Sequence, residues 1–292
     1  MKAHTVFTAL ALFVFCGWAF AGDRGKTDSK EDASSVEIVV YKTVETEKGA
    51  FDLKLHFFQP VTSTDANRAC ILLFHGGGWN NGDPTRVYSA ARQWAERGLV
   101  AIAVEYRVRD IHGGNALDSV RDAKSAMRWV RSRAVELRID PNRIAAGGTS
   151  AGGHLAMACA TLTAFDEPGE DNTVSCVPDA LVLLSPVLDN GPDGGYGHHK
   201  REVRENWQDF SPFHNIRKGV PPTLISFGTE EARYLRIEIA EELKQKMEAL
   251  GSRCELVILE GATHTQRTSE QRARINRKEL AFLQSLGYLG ER

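Results

Sequence analysis

The chain has 292 residues, 42% of them apolar and 25% charged, and a formal charge of −2. That length and balance allow a sizeable buried core, and the interspersed acidic and basic residues exclude a nucleic-acid face and a polybasic membrane anchor. The expected partner is a small molecule.

The first 21 residues read as a signal peptide. Lys2 supplies a positive start, Val6–Phe15 is a nearly unbroken apolar stretch, and Ala19-Phe20-Ala21 puts small residues at the −3 and −1 positions of a cleavage site. The stretch falls short of the roughly 20 residues that a membrane span needs, so no span is expected after cleavage. Cleavage after Ala21 starts a mature chain at Gly22 with charge −3, Lys2 being lost, and sends it to a secreted or periplasmic location. A lipoprotein reading through Cys16 is weaker, because bulky Phe15 precedes it. Residues 22–35 are polar and charged and read as a flexible leader, followed by a single domain over residues 36–292.

Within that domain, short apolar runs alternate with longer amphipathic stretches, the pattern of βα units around a mostly parallel sheet. Eight runs are candidate strands: Val36–Tyr41, Phe51–Phe58, Cys70–Phe74, Leu99–Val104, Arg143–Ala146, Ala180–Leu184, Thr223–Phe227 and Glu255–Leu259. Phe51, Leu53, Leu55 and Phe57 alternate with other residues, as in an antiparallel strand with one buried face. The later runs lack alternation and read as strands covered on both faces. Candidate helices lie between them. Thr85–Arg97 stops at Gly98, and Asn115–Leu137 places Val120, Ala123, Met127 and Val130 on one face. His154–Phe165, Leu235–Leu250 and Glu270–Leu286 complete the set. Asp189–Gly219, rich in Gly, Pro, His and charge, reads as an irregular excursion over one end of the sheet, part of a substrate mouth. Four cysteines remain after cleavage. Cys159 with Cys176 is the expected bridge, while Cys70 and Cys254 open strand-like runs and suit burial as free thiols.

Three motifs fall at the ends of these strands, where open α/β sheets place their ligands. Gly148-Thr149-Ser150-Ala151-Gly152 follows Arg143–Ala146 and precedes a helix. A serine on so sharp a strand-to-helix turn takes a strained conformation that only small neighbours permit, and it projects beside a helix N-terminus that favours negative charge. Ser150 is therefore the candidate nucleophile. His75-Gly76-Gly77-Gly78-Trp79 follows Cys70–Phe74. Its glycines let backbone N–H groups approach a developing oxyanion, and Gly77, Gly78 and Ala151 are the candidate donors. His75 is read as structural. Glu260-Gly261-Ala262-Thr263-His264 lies just beyond the last strand, and His264 is the candidate base that a hydroxyl nucleophile requires.

Together with Glu105-Tyr106-Arg107 and Asp122–Val130, these segments resemble the α/β-hydrolase superfamily, and within it the carbohydrate-esterase-like and hormone-sensitive-lipase-like hydrolases, from about Val36 to Leu286. The resemblance implies an α/β-hydrolase fold and a serine esterase with chain order Ser, acid, His. A secreted enzyme with no obvious large hydrophobic lid fits short acyl esters better than long-chain lipids. The resemblance implies acetyl or feruloyl groups on carbohydrates as one option, and the two-step acyl transfer needs no metal or organic cofactor. The family's Gly-Thr-x-Asp segment corresponds to Gly228-Thr229-Glu230-Glu231, which puts Glu231 at the acid position. Glu230 and a degenerate triad are the rivals.

Two other activities stay open, cleavage of an amide or peptide and a hydrolase-derived binding protein that has lost catalysis. Trp79, directly after the glycines, is the expected substrate contact among several aromatic candidates that include Tyr196, Trp207, Phe213 and Tyr234. Asp122 is read as bracing a loop, Tyr106 and Arg107 as packing or tethering, and His198, His199 and His214 as exposed loop histidines with no zinc-site spacing. Oligomeric state has no signature in the sequence.

Overall fold

The computed structural model describes residues 36–60, 67–193 and 195–290. The signal peptide and leader expected over residues 1–35 lie outside the described residues. Among the described residues, eight strands form one sheet in the order β1-β2-β4-β3-β5-β6-β7-β8. The strands are β1 (Glu37–Thr46), β2 (Gly49–Phe58), β3 (Arg68–Phe74), β4 (Val100–Val104), β5 (Ile139–Thr149), β6 (Ala180–Leu184), β7 (Thr223–Glu230) and β8 (Cys254–Thr263). β2 runs antiparallel to β1 and β4, and every other neighbouring pair is parallel.

The parallel strands are apolar throughout because both of their faces are covered. In β3, Leu72 and Phe74 point into one core while Ile71 and Leu73 point into the other, the two-residue period of a strand. The first core packs against α3 (Ala116–Ser132), α4 (Ala151–Thr161) and α6 (Ile237–Ala249), the second against α1 (Tyr88–Glu96) and α7 (Ser269–Ser285). Helices thus flank both faces, as the alternating pattern predicted. β2 buries Leu53, Leu55 and Phe57 and leaves Lys54 and His56 only half covered, again as predicted.

Two expectations fail. The excursion Asp189–Gly219 is not irregular throughout: it contains α5 (Arg201–Phe210) and a 3-10 turn over Pro212–Asn215. Only Val203 and Phe210 of α5 are buried, one apolar contact every two turns, too sparse a stripe to stand out in so charged a segment. The expected Cys159–Cys176 bridge is also absent. All four described cysteines are buried free thiols, and the Cys176 thiol faces the Cys159 carbonyl oxygen at 3.7 Å. Burial pushes both thiols upward, so they are inert apolar fillers of the core. No helix of the described residues is long and apolar enough to cross a membrane.

Candidate active site

The nucleophile candidate sits where β5 ends and α4 begins. Ser150 has φ +57° and ψ −123°, a strained conformation for a residue with a side chain, and it is held there from both sides. Its N–H donates to Leu184 O at 3.1 Å, and its carbonyl accepts from Val187 N at 3.1 Å. The flanking glycines are needed sterically. A Cβ on Gly148 would lie 2.5 Å from the Gly152 carbonyl carbon, and one on Gly153 would lie 2.8 Å from Pro186 Cβ.

The glycine loop after β3 wraps the same spot: a Cβ on Gly76 would stand 3.4 Å from Ser150 Cβ. Gly77 and Gly78 have φ values of +140° and +63°, which glycine adopts without strain. Among the described residues, no backbone hydrogen bond outside the helices and strands takes the N–H of Gly77, Gly78 or Ala151. The loop is braced from behind. His75 is buried and stacks on Tyr106 with ring centroids 4.3 Å apart. Its Nδ1 bonds Gly76 O at 2.8 Å, and the Tyr106 hydroxyl donates to His75 O at 2.6 Å. Burial pushes the His75 imidazole down to about 4, so the ring is a neutral strut. The next residue, Arg107, is tied to the fully buried Asp122 of α3 through its Nε at 2.7 Å and its backbone N at 2.9 Å. The brace read for Asp122 and the tethers read for Tyr106 and Arg107 therefore form one chain of contacts behind the cradle.

His264 and Glu231 come from the loops after β8 and β7. His264 Nε2 lies 3.0 Å from Ser150 Oγ, and His264 Nδ1 lies 2.7 Å from Glu231 Oε2. Glu230, in contrast, is exposed at the end of β7, opposite Thr263. The side chain of Glu231 is 1% exposed. Burial alone would raise its carboxyl, but hydrogen bonds from His264 and Ser185 and the charge of Arg267 outweigh it, and the net shift is downward. Glu231 is thus a carboxylate at neutral pH.

Two partners of this site had no signal in the motifs. Ser185, at the end of β6, donates from Oγ to Glu231 Oε1, and Arg267 Nη2 donates to Ser185 Oγ at 2.7 Å. Their one sequence cue was position: each lies just past the C-terminal end of a strand.

Trp79 does not line the mouth. It is fully buried and packs edge-on against His154 and Phe210, with centroids 4.9 and 5.4 Å away. Its φ of +61° turns the side chain inward beneath the loop, which proximity to the glycines could not foretell. The aromatic group at the cradle is Tyr196, whose hydroxyl lies 2.3 Å from where a Gly78 Cβ would be. Tyr196 packs against the exposed Tyr234 at 4.6 Å between centroids, and Tyr234 borders a cavity of about 400 Å³ with Asp193, Arg233 and Arg236. Phe213 is buried and Trp207 half-buried. His199 and His214 are exposed, whereas His198 is half-buried and bonds Asn190 O at 3.0 Å.

A serine at a strand-to-helix elbow, faced by a histidine from the loop after the last strand of such a sheet, defines an α/β-hydrolase. The chain belongs to the α/β-hydrolase serine esterases: esterase 2 of Thermogutta terrifontis, solved with propionate bound, is 35% identical with a TM-score of 0.80 over 89% of this chain and 98% of that one. Residues 55–180 match the BD-FAE family model. Among curated proteins, the probable isoprenylcysteine alpha-carbonyl methylesterase ICMEL1 of Arabidopsis thaliana is 25% identical over 73% of this chain. Carboxylesterase NlhH of Mycobacterium tuberculosis is 33% identical over 39% of it. The chain spans 48% and 35% of the lengths of these two relatives.

Proposed function

We propose that the protein hydrolyses carboxylic esters with short acyl groups through an acyl-enzyme on Ser150. The observation that carries this reading is the unbroken hydrogen-bonded chain from Ser150 Oγ through His264 to Glu231 Oε2, with links of 3.0 and 2.7 Å. As Ser150 Oγ bonds to the ester carbonyl carbon, His264 Nε2 takes its proton. Negative charge develops on the carbonyl oxygen and is met by the Gly77, Gly78 and Ala151 N–H groups, each worth about 3 kcal/mol by analogy with other such donors. Collapse breaks the bond to the alcohol oxygen, which leaves with the proton from His264. Water then adds to the acyl carbon, giving a proton to His264, and collapse breaks the bond to Ser150 Oγ, which takes that proton back from His264 Nε2 as the carboxylic acid leaves. Glu231 keeps its charge throughout, fixing the Nδ1–H tautomer and stabilising the imidazolium.

Short acyl groups are supported by the Tyr196 hydroxyl, which crowds the space beside Gly78, and by the propionate- and butyrate-bound structures of the Thermogutta terrifontis esterase. Acetyl or feruloyl esters of carbohydrates are the substrates we place first, from the family resemblance and from the export expected of residues 1–21.

Fluorophosphonate labelling tests the nucleophile. Wild-type protein should be labelled and Ser150→Ala should not; folded wild-type protein that resists the reagent would favour a binding protein without catalysis. A panel of p-nitrophenyl acetate to butyrate set against matching anilides tests the reaction, and turnover of anilides alone would favour an amidase. An N-terminus at Gly22 on protein recovered outside the cytoplasm tests the export.

A further inference from the structure

The buried arginine beside the acid has a role that Ser150, His264 and Glu231 leave unassigned. The side chain of Arg267 is 11% exposed, so it is no surface ion pair. Its planar head reaches residues at the ends of three successive strands. Nη2 lies 2.7 Å from Ser185 Oγ after β6 and 3.5 Å from Glu231 Oε1 after β7, and Nη1 lies 3.1 Å from the carbonyl oxygen of His264 after β8. The polarity is consistent along the chain. Ser185 has one hydroxyl proton and gives it to Glu231 Oε1, so a lone pair faces the guanidinium. Oε1 of Glu231 is thus occupied by Ser185, with Gly228 N at 3.4 Å and Arg267 beyond it, and Oε2 is left for His264. Ser185 holds this place at φ +43°, a strained backbone for a residue with a side chain.

We propose that Arg267, acting with Ser185, is a positioning residue of ester hydrolysis: it holds one oxygen of Glu231 and the main chain of His264 so that the other oxygen faces the imidazole. The inference rests on the acyl-enzyme reading above. A glutamate carries one more rotatable bond than the aspartate of the related pattern, and that freedom must be removed before its carboxylate can orient a histidine. A guanidinium suits the task because its donors are fixed in one plane, so two bonds set both distance and angle. A lysine in its place would bring the charge and donors, but from a single rotating nitrogen without the fixed plane.

Steady-state kinetics on p-nitrophenyl acetate, with melting curves taken alongside, test the proposal. Arg267→Gln should lower kcat about 10- to 100-fold with KM within about threefold, the pattern of a contact that matters in the transition state alone. Arg267→Lys should recover part of the loss, and Ser185→Ala should lower kcat about tenfold, again with little change in KM. In a Glu231→Asp background, Arg267→Gln should cost clearly less, because the shorter acid no longer reaches both partners. Losses that add in full, or a kcat within twofold of wild type for Arg267→Gln, would overturn the positioning role. Should Arg267→Gln fail to fold, Ser185→Ala, which removes one buried oxygen, is crossed with Glu231→Asp and judged by the same two criteria. A Ser150→Ala variant that keeps full activity would sink the acyl-enzyme reading instead, a result distinct from any of these.

Discussion

The carbonyl oxygen of Phe74 stands 2.1 Å from the point where a Cβ on Gly152 would lie, so the first turn of α4 rests directly on the backbone of β3. The contact joins the turn that carries Ser150 to the strand that leads into the glycine loop, and it sets the gap between nucleophile and cradle. Gly152→Ala must push these two backbones apart. We expect a loss of stability of about 1–3 kcal/mol, as for other overpacked sites. Fluorophosphonate labelling should slow much more than that destabilisation accounts for. Labelling at the wild-type rate would mean that the gap does not control reactivity.

Glu230 and Glu231 are neighbours with opposite surroundings, and their amide variants should differ accordingly. At Glu231, both carboxylate oxygens face donors: Ser185, Gly228 and Arg267 on one side, the His264 Nδ1–H on the other. Glutamine there must turn an NH2 group toward a donor, or force His264 into the wrong tautomer. Glu231→Gln should therefore lower kcat by about 100-fold or more. Glu230→Gln, at an exposed position, should stay within about twofold by the same reasoning. The reverse ranking in kcat would move the acid assignment to Glu230.

The fold was largely legible because burial on two faces writes itself as unbroken apolar runs. Leu99–Val104 and Ala180–Leu184 needed no neighbour to be recognised, and β6 matches its run residue for residue. The positions of Ser150 and His264 were legible for a related reason, since each lies at a strand end and the glycines around Ser150 leave no room for larger residues. What escaped depends on how side chains turn in three dimensions. Glu230 and Glu231 differ by a single step of a strand end, and no local pattern says which one faces His264. Trp79 looked like a mouth residue from its place in the chain, until a positive φ sent it into the core. Cys159 and Cys176 lie close, yet the Cys176 thiol points at a carbonyl. Arg267 meets Ser185 and Glu231 from far along the chain, so no window of sequence could contain the contact.

Asp122 supports the site from a distance, and its loss should appear first as instability. The carboxylate is fully buried and takes Lys42 Nζ, Arg107 Nη2 and Arg107 Nε, each at 2.7 Å. Removing it leaves two cations partnered less well in a nearly dry site. Asp122→Ala should thus cost about 3–5 kcal/mol in urea unfolding, the range for breaking a buried pair from one side. The surviving folded protein should label more slowly, because Arg107 is no longer anchored and Tyr106 no longer fixes His75. A cost below about 1 kcal/mol would show that the cluster behaves as a surface network.

Two buried histidines should make the fold acid-sensitive well above the carboxylate range. Burial, the largest influence on each, pushes His75 and His154 down to about 4, whereas in an unfolded chain they titrate near 6.5. A folded value below the unfolded one means that the unfolded chain takes up protons first as pH falls. Stability is then fully present above about 6.5 and is lost progressively down to about 4. Each such group contributes at most about 1.4 kcal/mol per pH unit to the slope. Asp166 and Glu231 lie below their ordinary values and titrate at lower pH. His56 and His214, also lowered by burial, add to the decline, whereas the carboxyl of Glu279, pushed up to about 7 by burial, opposes it over the same interval. Urea unfolding at pH 7, 6 and 5 should show this decline. His154→Asn should be less stable at pH 7, since the bond to Phe210 O at 3.0 Å and the packing against Trp79 are weakened. Its stability should nevertheless fall less than that of the wild type below pH 6.5, because one titrating ring is gone. An equal slope in the variant would remove His154 from the linkage.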